Sequence, residues 1–244
     1  MPLDHYVSQV HLRRFYSPVL GNRMYAIRKT DLKTFTPSAE VVCTIRDGNT
    51  NAYLRENRAV EDFLTTIEPN YNASLEKLVS RSIDHECIYT IAGFVAYVVT
   101  CSPAGMRIQS EPLRSAVEAG AALMDARGAL PRAPAQLGGA SLTDLLRDGT
   151  VKTTIDPKYP QAIGVESILR NTARFGNFKW EILHNDSDDS PFFTSDFPVA
   201  IEKTERPGVL NRIVPLAPNL ALRIRPDVML DLDCVDFSLE NFVT

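Results

Sequence analysis

The sequence predicts an α+β fold, with a helical middle packed on an antiparallel sheet built from N-terminal and C-terminal strands. Three observations carry this. Near the start, NRMYAIRK (22–29) and AEVVCTIR (39–46) are rich in Val, Ile, Tyr and Thr. The last third returns to that chemistry in KWEILHN (179–185), PFFTSDF (191–197), PVAIE (198–202), NRIVPLA (211–217) and LALRIRP (220–226). Between them, Val60, Phe63, Leu64, Ile67, Tyr71, Leu75 and Leu78 recur at helical spacing. There is no internal repeat and no low-complexity tract. Residues 1–244 read as one domain, with a helical subdomain over 57–175.

In chain order, Asp4 or Ser8 caps a short helix through QVHLRRF, with Val10 and Phe15 among its apolar contacts. The two early β stretches read as a hairpin with TDLKTFTPS between them, and DGNTN (47–51) is turn chemistry. Pro69 falls inside the helical pattern and removes a backbone donor, so the helix breaks or kinks there. Asp84 caps the apolar run CIYTIAGFVAYVVTC (87–101), and Pro103 marks its end. That run is shorter than the roughly 20 residues a membrane span needs, so it predicts a buried core helix. Residues 112–128 form a further helix with Gly128 as its C-cap. Residues 129–141, rich in Pro, Gly and Ala, form a loop; a short helix at 142–148 and a longer one near 160–174 follow.

An apolar fraction of 44% and a charged fraction of 23% are ordinary for a globular protein. A net charge of -4 argues against broad electrostatic capture of nucleic acid and leaves only a local basic patch for it. Cys43, Cys87, Cys101 and Cys234 form no CxxC pair, which argues against a zinc ribbon or finger. Cys87 and Cys101 read as buried thiols, which fits a reducing cytosol. No secretory signal opens the chain, so a cytoplasmic location is expected and no membrane partner.

Candidate chemistry gathers in two stretches, LDHYVSQVHLRRF (3–15) and FFTSDFPV (192–199), read as two walls of one site. In the second, Pro198 prevents the strand from continuing and pushes Phe197 to extended geometry, leaving the Asp196 carboxylate at a strand end. The bland alternative is an Asx-turn, in which Asp196 accepts a local amide. Ser195 has no GxSxG context and no evident histidine partner, against a nucleophile role. Glu68, just before Pro69, is either a site group or a solvated acid at a kink. His5 precedes the first helix; His11 lies within it and reads as a surface residue. Their spacing does not make an i, i+4 metal clamp. Arg13 and Arg14 suit bidentate binding of phosphate or carboxylate, or split between bridging and solvation. DHE at 84–86 matches the first half of HExxH, but Tyr89 breaks the motif. No phosphate-cradling glycine loop is present, so no nucleotide cofactor is expected.

HYVSQVHLRRF resembles the HYVPQ-type opening of the bacterial family known as domain of unknown function 4238. The other stretches that carry the resemblance follow in order: VEDFLTTIEPNYNASLEKL, IAGFVAYVVTCSP, WEIL, FFTSDFPV and PLAPNLALRI. The resemblance covers nearly the whole chain and puts His5, Tyr6, Gln9, Arg13, Glu68, Ser195, Asp196 and Pro198 on motif positions. Ser8 stands where the motif has proline, and Phe197 where it has asparagine. The chain stops at SLENFVT, where a further helix is expected, so a truncated C-terminus is the expectation.

Two functions are carried forward. In the first, His5, Glu68 and Asp196 are catalytic groups around one cleft, and Tyr6, Gln9, Arg13 and Ser195 bind substrate. Glu68 and Asp196 then ligate magnesium or manganese, which activates water against a phosphodiester, as in a nuclease. A metal-free variant uses His5 as general base. In the second, the chain is a non-catalytic recognition or structural protein. His5 pairs with Asp196, the arginines bridge to Glu68 or its neighbours, and the network docks the N-terminal helix on the C-terminal sheet. The bacterial and mobile-element flavour of the resemblance implies a phage-defence or toxin-like setting for it.

Overall fold

The computed structural model describes residues 2–187 and 189–226. Its N-terminal strands are short. β1 (Leu3–His5) pairs antiparallel with β4 (Thr44–Arg46), and β2 (Ala26–Ile27) with β3 (Thr34–Phe35). The expected hairpin between 22–29 and 39–46 is therefore replaced: each stretch finds its partner elsewhere. Pro37 interrupts the return strand and offers only its carbonyl, which accepts Met24 N–H at 3.0 Å. Cys43, at φ 54, then turns the chain so that β4 meets the N-terminus. The turn at 47–51 forms as expected, with Thr50 N–H donating to Asp47 O at 3.2 Å.

The helical period behaves as written. α1 (Gln9–Leu12) is short, and α2 (Ala59–Ile67) and α3 (Tyr71–Val79) are separated by a 3-10 turn at Glu68–Asn70 that contains Pro69. All seven periodic residues from Val60 to Leu78 are buried. α4 (His85–Cys101) starts at an Asp84 side chain that accepts Cys87 N–H at 2.9 Å. Its apolar residues run round every face, so it is buried among α2, α3 and the later helices. Pro103 ends α4 as expected, yet it also opens the next helix. α5 (Pro103–Ala126) begins where the Ser102 hydroxyl accepts Gly105 N–H at 3.0 Å, at a 63° bend from α4. The 112–128 helix is thus the second half of a longer one that tolerates Pro112. Gly128, at φ +69, follows its C-terminus.

α6 (Leu142–Arg147) follows the loop. The helix expected near 160–174 is two, α7 (Lys158–Glu166) and α8 (Ile168–Gly176), broken at Ser167. A Cβ on Gly164 would stand 2.6 Å from Thr100 Cγ2, so glycine is what lets α7 lie against α4. Among the described residues no single helix is long and apolar enough to cross a membrane.

The C-terminal strands β5 (Lys179–His184), β6 (Ala200–Lys203), β7 (Leu210–Ala217) and β8 (Leu220–Arg225) form one antiparallel sheet in the order β5-β8-β7-β6. Trp180, Ile224 and Arg212 share a row on the face toward α8, where Trp180 Nε1 donates to Phe175 O at 2.8 Å. Residues 191–199 are not a strand. Pro191 and Pro198 withhold amides, Phe192 N–H goes to Pro218 O at 2.8 Å, and Phe193 is exposed. One apolar cluster runs from Val7 and Leu12 through α2–α4 to Val214 and Ile224. The class is α+β, and the N-terminal and C-terminal strands make separate ladders. Cys87 and Cys101 are free, buried thiols. Cys234 and the terminal SLENFVT lie outside the described residues.

Candidate functional site

Ser8 and its neighbours bring the N-terminal stretch down onto the α2–α3 kink. Ser8 stands at the N-cap of α1 but does not cap it; its hydroxyl donates to Glu68 Oε1 in a short hydrogen bond. The kink at Pro69 is what turns Glu68 toward the N-terminus, so the acid at the break is half-buried and hydrogen-bonded. Asp4 does not cap the helix either. It is buried in β1, where it accepts Asn49 N–H at 3.0 Å and pairs with Arg58 at 3.1 Å.

His11 is the largest departure from the sequence reading. It is fully buried rather than on the surface. Its Nδ1 lies 2.8 Å from Tyr71 Oη and its Nε2 2.8 Å from Thr194 Oγ1, while the ring stacks on Phe94 with centroids 4.7 Å apart. A neutral imidazole has one donor and one acceptor nitrogen, so both are used here whichever tautomer is present. Burial pulls the His11 pKa down to about 3 and pushes the Tyr71 phenol well up. This pair of bonds ties α1 to α3 and to the segment before Ser195. The signal was present in the sequence: Val7, His11 and Phe15 are spaced i, i+4, i+8, which puts His11 on the apolar side of its helix.

His5 is half-buried, and its ring is also engaged. Nε2 donates to Ala39 O at 3.1 Å, which leaves Nδ1 to accept from Gln9 Nε2 at 3.4 Å. Its carbonyl accepts from the buried Tyr97 hydroxyl. Gln9 Oε1 accepts from Arg13 Nη2 at 2.8 Å, and Arg13 stands 3.9 Å from Glu40. The predicted pairing of His5 with Asp196 is absent, its ring bonding Ala39 and Gln9 instead; Ser8 rather than an arginine bonds Glu68, and Arg13 reaches the neighbouring Gln9 and Glu40.

On the second wall, Ser195 Oγ accepts Phe197 N–H at 3.1 Å, a local turn bond, and Pro198 is buried. Asp196 is exposed, and close enough to Tyr6 and Cys43 to act on both. Burial, then the charges of Cys43 and Asp196, push the Tyr6 phenol up. Burial pushes the Cys43 thiol up to about 11, with Asp196 adding to it, so Cys43 is the reverse of an activated nucleophile. Tyr6 N–H donates to Cys43 O at 2.9 Å. Cys43, Tyr71 and Tyr97 are the site members the motif reading did not single out.

The two stretches therefore meet, through His11–Thr194 inside and Tyr6–Asp196 at the rim. The proposed catalytic set is not joined by direct bonds. Among the described residues, His5, Glu68 and Asp196 make no hydrogen bond or ion pair with one another. No three His, Cys, Asp or Glu side chains among the described residues are placed to hold a metal ion. Beyond Arg14 lies an open cavity of about 220 Å³ between α3 and the β7–β8 turn, with Glu76 and Asn219 on its walls. The family model described as "Protein of unknown function (DUF4238)" matches residues 4–233, and the chain belongs to that family. No curated protein and no solved structure matches it.

Proposed function

We propose that this DUF4238 chain is a non-catalytic recognition protein whose motif residues hold its N-terminal segment in place. The observation that carries the reading is His11, fully buried with both ring nitrogens engaged by Tyr71 and Thr194. A general base needs a free nitrogen within reach of a reacting proton, and His5 likewise has both of its own engaged. The Ser8–Glu68 bond supports a structural role for Glu68 as well. A buried network of this kind specifies one arrangement of the chain more than it adds net stability. The defence or toxin-like setting belongs to this reading through the bacterial resemblance alone.

A second reading, the metal-dependent phosphodiester hydrolase, draws on one observation: Asp196 presents an exposed carboxylate at the rim beside Tyr6. Thermal melts of wild type, His11→Gln and Asp196→Asn separate the two, each with and without millimolar manganese or magnesium. Recognition predicts that His11→Gln melts early, that Asp196→Asn melts with wild type, and that neither metal shifts any curve. A metal-dependent rise in wild type that Asp196→Asn lacks would overturn it and make Asp196 a ligand.

A further inference from the structure

Residues 21–35 form a hairpin whose composition is unlike the rest of the chain. It carries Arg23, Arg28, Lys29 and Lys33 against the single acid Asp31, in a chain of net charge -4. β2 and β3 pair only with each other, and Arg28 N–H donates to Lys33 O at 2.9 Å to close the tip. Asp31 holds that tip from within: it accepts Lys33 N–H at 3.2 Å and lies 3.4 Å from Arg28. Large apolar side chains nevertheless stand in water here. Tyr25 and Ile27, two apart and so on one face, are 69% and 64% exposed, and Leu32 at the tip is 75% exposed. Contiguous exposed apolar groups of this sort mark an interaction surface.

Leu32 is the informative residue. Its φ of 55 is left-handed, a conformation that glycine adopts freely and a branched L side chain resists. The hairpin turn sets that conformation, closed by Arg28 N–H on Lys33 O, and it leaves the side chain 75% exposed rather than packed in the core.

We infer that the hairpin is a surface anchor for an anionic lipid bilayer, with Leu32 and Ile27 entering the acyl edge and Arg28, Lys29 and Lys33 meeting the phosphate headgroups. The cations call for an anionic partner, and the aliphatic tip calls for one with a hydrocarbon layer; a bilayer surface supplies both together. Nucleic acid supplies only the first at the tip, where Leu32 and Ile27 give a base no stacking face; the exposed aromatics Tyr25 and Phe35 stand further down the hairpin. Such an anchor lies on the membrane and needs no spanning helix. It does not depend on the recognition reading above.

The test is flotation of the full chain with vesicles of phosphatidylcholine alone, and of phosphatidylcholine with about one third phosphatidylserine, a load that gives a negative surface potential. Binding is expected to the anionic vesicles only and to weaken with salt. Leu32→Gly suits the backbone, so it is expected to melt no lower than wild type and to bind about tenfold more weakly, the loss of one buried leucine. Lys29→Glu with Lys33→Glu is expected to abolish binding. No binding to anionic vesicles, or equal binding by Leu32→Gly, overturns the proposal. So does retention on an immobilised DNA or RNA strand that the lysine pair controls and Leu32 does not, which would give the cations to nucleic acid.

Discussion

Lowering the pH should unlatch the N-terminal segment through His11. Its imidazole is fully buried, and its folded pKa of about 3 lies below the unfolded value of about 6.5. A histidine with a depressed folded pKa binds its proton in the unfolded state first. Unfolding is therefore favoured as pH falls below the unfolded pKa, and stability drops by about 1.4 kcal/mol per pH unit until the folded pKa is reached. Between pH 7.5 and pH 5.0 the loss is about 2 kcal/mol from this one group. At about 2–4 °C per kcal/mol for a chain of this size, the melting temperature falls by about 4–8 °C. His11→Gln keeps an amide donor and acceptor but cannot titrate. The assay is thermal melting by circular dichroism of both proteins at both pH values. The wild-type drop should exceed that of His11→Gln by this margin, because every other titrating group is common to both. Equal drops would refute the reasoning, since they would mean that His11 is solvated or already charged in the fold.

Ser102→Ala should lower stability by about 1 kcal/mol in urea titration, because the Ser102 hydroxyl alone caps the start of α5 from a fully buried position. Leu216→Ala, in the fully buried face of β7, should lower it by about 2–5 kcal/mol, measured as the shift in denaturation midpoint at constant m-value. Gly164→Ala should lower it by about 1–3 kcal/mol, since its new methyl meets Thr100; an unchanged midpoint would show that α7 can slide on α4.

The helical middle was legible because a 3.6-residue period is a local signal: Val60 to Leu78 named their own buried face, and Pro69 and Asp84 named their own break and cap. Strand pairing is not local. Nothing near Thr44 in the sequence indicates that it lies opposite His5, and a proline at 37 was enough to redirect the hairpin. FFT looked like a strand by composition, but the two prolines around it leave too few amides for a ladder. Within the site, the pairing of the two motif stretches was legible, whereas their atomic partners were not. A histidine between Tyr71 and Thr194 cannot be told from a solvated one without knowing which helix face meets α4. Ser8 shows the same limit: a favourable cap residue by type, its hydroxyl is turned to donate to Glu68 and accepts no helix amide.

The bond between His11 and Thr194 joins residues 183 apart in sequence. At roughly 5–20 residues per second, a ribosome reaches Thr194 about 10–40 s after His11 has been made. Once Phe94 has been made, the motif has Tyr71 and Phe94 available but still lacks its last partner. This helix is thus made well before its contacts are complete, and a nascent chain stalled before Thr194 lacks that partner for the imidazole. The latch consequently reports on completion: only a chain translated past Thr194 can close it.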